Sequence, residues 1–206
     1  MKVLLLNGSG HPHGCTDLAL REVAGSLNAR GVETEILWIG AEPLAGCIGC
    51  GHCGKAGRCF REDMVNEVAS RMEEFDGLVV GSPVHYAAAS GQITSFMDRL
   101  FMLAGKKMAG KVGAAVVACR RGGASAAFDQ LNKYFTISNM PIAPSQYWNQ
   151  IHGSNPAEAA QDLEGLQTMR TLGENMAWLL QCIQAGDSAG VVRPQYEATI
   201  RTSFIR

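Results

Sequence analysis

Short apolar runs recur along the chain at residues 3–6 (VLLL), 35–39 (EILWI), 77–81 (GLVVG) and 112–118 (VGAAVVA), bounded by Gly or Pro. Runs of this length with flanking breakers read as buried strands. Between them, residues 16–28, 63–74, 92–103 and 125–135 space their apolar side chains at helical intervals. A fifth strand is expected near residues 140–144, followed by a long helix within 156–185. Strands alternating with helices imply a parallel sheet covered on both faces. The pattern therefore predicts an α/β protein over residues 1–185, a three-layer doubly wound fold with a five-stranded parallel sheet. Residues 186–206 show no period and are expected to wrap a neighbouring subunit or stay loose.

In such a fold the ligand lies beyond the carboxyl ends of the strands, where strand order reverses. This directs attention to the loops after Leu6, Gly81 and Ala118. Composition narrows the ligand: hydrophobic residues make up 47% and charged residues 18%, and the net charge is −1 with Lys and Arg scattered. No basic face for nucleic acid stands out, and a small-molecule partner is expected. The opening apolar run is too short for a signal-peptide core or a membrane span, so a cytoplasmic protein without membrane contact is expected.

The first loop, residues 7–16 (NGSGHPHGCT), joins a strand to a helix. Its glycines let backbone N–H groups point inward, and Ser9 and Thr16 add hydroxyls near a positive helix end. With glycines at 8, 10 and 14 it has neither the triphosphate-loop ending nor the dinucleotide spacing, and a single terminal phosphate suits it. The alternative is a Gly-rich turn that merely caps a helix. In the second loop, residues 81–99 (GSPVHYAAASGQITSFMDR), Pro83 fixes the turn, while His85 and Tyr86 present aromatic faces or edges to a planar ligand or simply pack. In the third, residues 119–125 (CRRGGAS), two arginines precede two glycines. They place N–H groups and positive charge near a ring, or are solvated beside a flexible turn.

Taken together and in order, these loops resemble those of the flavodoxin-like NAD(P)H-dependent FMN reductases, and within them the iron-sulfur flavoproteins. NGSGHPHGCT is similar to the N-G-S-P-R-x-x-G-x-T phosphate loop, with Gly10, His11 and Cys15 replacing Pro, Arg and Asn. SPVHYAAASGQITSFMDR is similar to S-P-x-Y-x-x-x-x-S-G-x-x-K-x-F-x-D-R, with His85 replacing Tyr and Thr94 replacing Lys. The resemblance spans about residues 1–183. It implies FMN held at its phosphate by Ser9, His11, Gly14, Cys15 and Thr16. Around the ring it implies Pro83, Val84, His85, Tyr86, Cys119, Arg120, Arg121, Gly122 and Gly123. It also implies a homodimer or homotetramer and NAD(P)H as electron donor. His for Arg at position 11 removes a permanent charge, so phosphate affinity would fall as pH rises.

Four of the seven cysteines lie within residues 46–60, spaced Cys47-x2-Cys50-x2-Cys53-x5-Cys59 among glycines. An odd cysteine count with this clustering suits metal or redox chemistry in a reducing compartment better than a disulfide framework. Short x2 steps let one loop surround three corners of a 4Fe-4S cluster, and the longer step returns to the fourth. Zinc and a free-thiol loop are the competing readings. The resemblance to iron-sulfur flavoproteins, including the REDM that follows at 61–64, carries the cluster ligands onto Cys47, Cys50, Cys53 and Cys59. His52 reads as a solvated loop residue, Cys119 as a loop residue and Cys182 as a buried small apolar residue in a helix.

The expected function is that of an FMN-dependent oxidoreductase, an electron-transfer flavoprotein whose FMN exchanges electrons with the cysteine-bound cluster and with a small-molecule or protein partner. No side chain is assigned acid-base catalysis, because the cofactors carry the chemistry. The rival is an NAD(P)H-dependent FMN or quinone reductase without a cluster, and a more distant one is a non-enzymatic regulatory module. Tyr147 and Trp148 would cover the ring or a neighbouring chain, or anchor the last helix.

Overall fold

The computed structural model describes residues 1–202 and 204. Five parallel strands, β1 (Lys2–Asn7), β2 (Glu33–Trp38), β3 (Gly77–His85), β5 (Val112–Cys119) and β6 (Gln150–His152), lie in the order β2-β1-β3-β5-β6. A two-residue strand, β4 (Ala88–Ala89), turns back antiparallel against β3. The helices are α1 (Cys15–Ala29), α2 (His52–Ala56), α3 (Met64–Arg71), α4 (Gly91–Ala104), α5 (Ala124–Ile137), α6 (Pro156–Ala159) and α7 (Leu163–Ser188). Among the described residues no helix is long and apolar enough to cross a membrane.

Because successive side chains of a strand point to opposite faces, β1 feeds two cores. Leu4 and Leu6 pack with Val68, Phe96, Leu100 and Phe135 under α3, α4 and α5. Val3 and Leu5 pack with Leu20, Val23, Leu172 and Met176 under α1 and α7. The chain moves from β1 outward to β2, then crosses back to β3 on the other side of β1. The carboxyl ends of β1 and β3 thus flank the reversal of strand order, where a crevice opens.

The fifth strand is not where the apolar pattern places it. Residues 140–144 make a single bridge, Gly113 with Ile142. Pro144, whose φ is fixed near −65°, then turns the chain out of the sheet. The side-chain amide of Asn149 takes over, donating to the Ala115 carbonyl at 3.0 Å while the Asn149 carbonyl accepts from Val117 N at 2.9 Å. Pairing resumes as β6. The other differences are local: α2 forms inside the cysteine loop between two left-handed glycines, α7 runs on to Ser188, Cys182 is exposed on α7 rather than buried, and Cys119 is buried as the last residue of β5 rather than lying in a loop. From Ala189 the described tail has no regular structure, and residues 203 and 205–206 lie outside the described residues.

On the exposed edge strand, Glu35 accepts both branches of the Arg71 guanidinium at 2.8 Å. Arg71 first, against the opposing effect of burial, and then Lys2 hold the Glu35 carboxyl below its ordinary 4.5, at about 2. A depressed carboxyl contributes stability above its unfolded pKa and loses it as pH falls toward the folded one. In urea unfolding between about pH 5 and pH 2, Glu35→Gln should therefore lose less stability than the parent chain. Parallel losses in the two proteins would remove this ion pair from the account.

Candidate functional site

The loop after β1 is drawn tight at its start. A Cβ on Gly8 would stand 2.6 Å from Ile93 Cβ and 2.9 Å from the Gly81 carbonyl, so only glycine permits this approach of β1, β3 and α4. The buried Asn7 accepts from Ser9 N at 3.1 Å, and Ser9 Oγ accepts from His11 N at 3.1 Å. From β2, Trp38 Nε1 donates to the Ser9 carbonyl at 2.7 Å. Gly14, at the N-cap of α1, offers no capping side chain, so the N–H groups of Cys15, Thr16 and Asp17 have no intrahelical acceptor. These orphan donors, with the buried hydroxyls of Ser9 and Thr16, form a cradle whose donor set fits a phosphate. Asp17 would oppose an anion, but it is paired to Arg21 at 2.7 Å and to His13 at 3.5 Å. His11 is exposed.

The second loop is the tip of the β3–β4 hairpin. His85 pairs with Ala88, leaving Tyr86 and Ala87 as the two turn residues, with φ of 50° and 60°. A two-residue hairpin favours positive φ at both positions, which glycine or asparagine usually supplies. Here Tyr and Ala hold it at a cost of about 1–3 kcal/mol each, and Tyr86 is presented fully exposed beside an exposed His85. Pro83 and Val84 are half-buried below them.

In the third loop, Gly123 has φ 90° and lies so close to the hairpin that its Cβ would stand 2.7 Å from Ala87 Cα and 3.1 Å from Val84 Cγ1. Arg120, Arg121 and Gly122 are exposed at the rim. Burial raises the pKa of both the Cys119 and the Cys15 thiol, keeping them protonated. The Cys15 thiol donates to the Gly153 carbonyl at 3.6 Å, while Gly153 N donates to the Cys119 carbonyl at 3.0 Å.

All three loops thus meet at one edge of the sheet, joined by contacts that sequence reasoning missed, made by Asn7, Trp38, Ser90 and Gly153. Ser90 is central. Its hydroxyl donates to the Gly8 carbonyl at 2.8 Å and accepts from Ile93 N at 3.2 Å as the cap of α4, and its N–H donates to Ser82 Oγ at 2.9 Å. Removing a cap and leaving a buried carbonyl unpaired costs about 1–3 kcal/mol. Ser90→Ala should lower unfolding free energy by about that amount and weaken binding of a phosphate-bearing ligand in the same preparation. An unchanged unfolding curve would break the link between the loops.

The cysteine loop runs from β2 along α4, tied by Gln92 Nε2 donating to the Glu42 carbonyl at 2.5 Å. Cys47, Cys50, Cys53 and Cys59 all line one pocket with Phe60, Arg61, Arg99 and Met102. Gly49 N donates to Cys47 Sγ at 3.5 Å. Asn66 clamps the far end: it accepts from Cys59 N at 2.8 Å and donates to the Cys59 and Arg61 carbonyls, both at 3.0 Å. Beneath the loop, Arg99 forms a fork on Asp63 with contacts of 2.6 and 2.8 Å and donates to the Ala45 and Arg61 carbonyls at 3.3 Å. Asp63 first, and Cys59 after it, raise the Arg99 pKa against the opposing effect of its burial.

Among the described residues, no three His, Cys, Asp or Glu side chains are drawn together at metal-binding distance. The donor set nonetheless fits an anionic iron-sulfur group: four thiols line the pocket, and two of the other lining side chains, Arg61 and Arg99, have a buried Nε without a partner. Helix α4 links the two regions. Ser90 at its start holds the loop after β1, and Arg99 lies about 14 Å further along at 1.5 Å per residue.

The family profile described as NADPH-dependent FMN reductase matches residues 1–154. An iron-sulfur flavoprotein of Methanocaldococcus jannaschii is 34% identical over 192 residues, covering 89% of this chain and 100% of that protein. An iron-sulfur flavoprotein of Methanosarcina thermophila is 30% identical over 189 residues, covering 89% and 97%. The solved structure of a flavodoxin from the domain Archaea matches with a TM-score of 0.61 at 15% identity, over 88% of this chain and 99% of that one. That likeness carries the flavodoxin-like fold alone.

Proposed function

The chain belongs to the NADPH-dependent FMN reductase family, and on that basis we propose that it is an electron-transfer flavoprotein whose FMN exchanges electrons with a 4Fe-4S cluster on Cys47, Cys50, Cys53 and Cys59. The coarser statement, an FMN-containing oxidoreductase, follows from the family itself. Bound FMN supplies conversion between two-electron and one-electron transfer, and a cluster takes electrons one at a time.

The protein's part is positioning and charge. Ser9, Gly14, Cys15 and Thr16 hold the phosphate at the uncapped start of α1, with His11 at the rim. Pro83, Val84, His85 and Tyr86 form one wall of the ring site. Cys119, Arg120, Arg121, Gly122 and Gly123 form the other, with the arginines favouring the negative charge of the reduced ring. The observation that carries the proposal is that all four cysteines line one pocket, beside the helix whose N-cap residue, Ser90, is tied to the loop after β1.

The lack of converged metal ligands among the described residues favours a second reading. In it, the cysteines form a thiol loop on an NAD(P)H-dependent FMN or quinone reductase. Anaerobic rapid mixing separates the two. Fast reduction of the protein by a reduced one-electron donor protein, with slow quinone turnover, supports the carrier, whereas rapid NADPH oxidation with quinone, unaffected by Cys50→Ala, supports the plain reductase.

We further propose assembly as a homodimer or homotetramer, supported by the exposed Val191, Val192, Tyr196 and Ile200 of the tail. A monomeric mass by light scattering would contradict it.

A further inference from the structure

Among the described residues, three buried side-chain nitrogen or oxygen atoms lack a hydrogen-bond partner, and two of them, Arg61 Nε and Arg99 Nε, belong to side chains lining the cysteine pocket. Leaving a buried charged group's donor unpaired costs free energy. Arg99 is only 3% exposed, and its two terminal nitrogens are fully engaged with Asp63, Ala45 and Arg61 carbonyl or carboxylate oxygens. Arg61 is held over the Phe60 ring at 4.9 Å. Anchoring of the loop therefore accounts for the terminal nitrogens of Arg99 and leaves both Nε–H groups unexplained. The pocket these two side chains border is walled otherwise by His52, apolar side chains, glycines and four thiols.

We infer that Arg61 and Arg99 are positioning residues that turn their Nε–H donors toward the sulfur atoms of the cysteine pocket and set the reduction potential of the group held there. This rests on the cluster reading above. A cluster on four thiolates becomes more negative on reduction, so hydrogen bonds to its sulfurs and nearby positive charge favour the reduced state. Asp63 cancels much of the Arg99 charge, which leaves the directed N–H as the larger contribution at that position. Removing either donor should lower the potential.

Lysine is the informative replacement, because Arg99→Lys keeps a cation for Asp63 and Arg61→Lys keeps one over Phe60, while both lose Nε–H. The anaerobic parent protein and both variants are assayed for iron, sulfide and FMN. Each is then titrated reductively with the cluster followed by electron paramagnetic resonance. The expected result is unchanged iron and FMN in both variants, a lower cluster potential in each and an unchanged FMN potential. Unchanged cluster potentials with iron retained would overturn this inference and leave the cluster reading standing. Loss of iron from both variants with FMN retained would make the arginines loop anchors only, which also overturns it. A parent protein without iron would overturn the cluster reading, and this inference with it.

Discussion

Cys50→Ala is expected to remove iron from the protein, from about four atoms per chain to less than one, while FMN stays bound. Cys50 is exposed and its thiol makes no hydrogen bond among the described contacts. Truncation there should change stability by no more than about 0.5 kcal/mol, so loss of iron can be read as loss of a ligand. FMN should survive because its loops are tied to one another by Ser90, Gly8, Trp38 and Gly153 without any atom of Cys50. Paired assays of iron and flavin on parent and variant give the answer. Simultaneous loss of both would mean that the two regions do not form independent sites, and full iron retention would remove Cys50 from the ligand set.

The second large effect is electrostatic. Ser9→Asp should weaken FMN binding by about two powers of ten. A carboxylate some 5 Å from a phosphate, at an effective dielectric constant near 20, is repelled by about 3 kcal/mol, which is roughly 100-fold in affinity. The site is unforgiving because Ser9 is buried and boxed in by Asn7, His11 and Trp38. Ser9→Ala serves as the control: losing one neutral hydrogen bond costs about 1 kcal/mol. Fluorescence titration of the flavin-free proteins should rank the affinities parent, Ala, then Asp. Equal affinities for parent and Asp would place the phosphate elsewhere.

Much of this architecture was legible because burial on both faces leaves a plain trace. The apolar runs at 3–6, 77–81 and 112–118 lie within β1, β3 and β5, and the helical spacings became α1, α3, α4, α5 and α7. The fifth strand was misplaced because the apolar residues at 140–143 do pack beside β5, while the ladder itself is rebuilt by the polar Asn149. Hydrophobic pattern carries no signal for that substitution of a side-chain amide for backbone. Helix α2 was missed for a related reason, since left-handed glycines at both ends define it rather than an apolar stripe.

The site divides in the same way. That the three loops share an edge follows from the strand-end rule, while the four closely spaced cysteines line one pocket. The ties depend on register and could not be read from local pattern. Ser90 reaches Gly8 across 82 residues, and Asp63 and Arg99 meet across 36. Asn7, which ends an apolar strand, and Ser82, a polar residue within one, are local signals that mark such positions without naming the partner. Trp38, at the carboxyl end of its own strand, is another.

On this reading one chain carries both a flavin and a cluster. The most direct measurement is strictly anaerobic purification followed by quantification of FMN, iron, acid-labile sulfide and zinc per chain. About one FMN with about four iron and four sulfide is the predicted result. FMN without iron, sulfide or zinc would contradict it and leave a reductase with a thiol loop at Cys47, Cys50, Cys53 and Cys59.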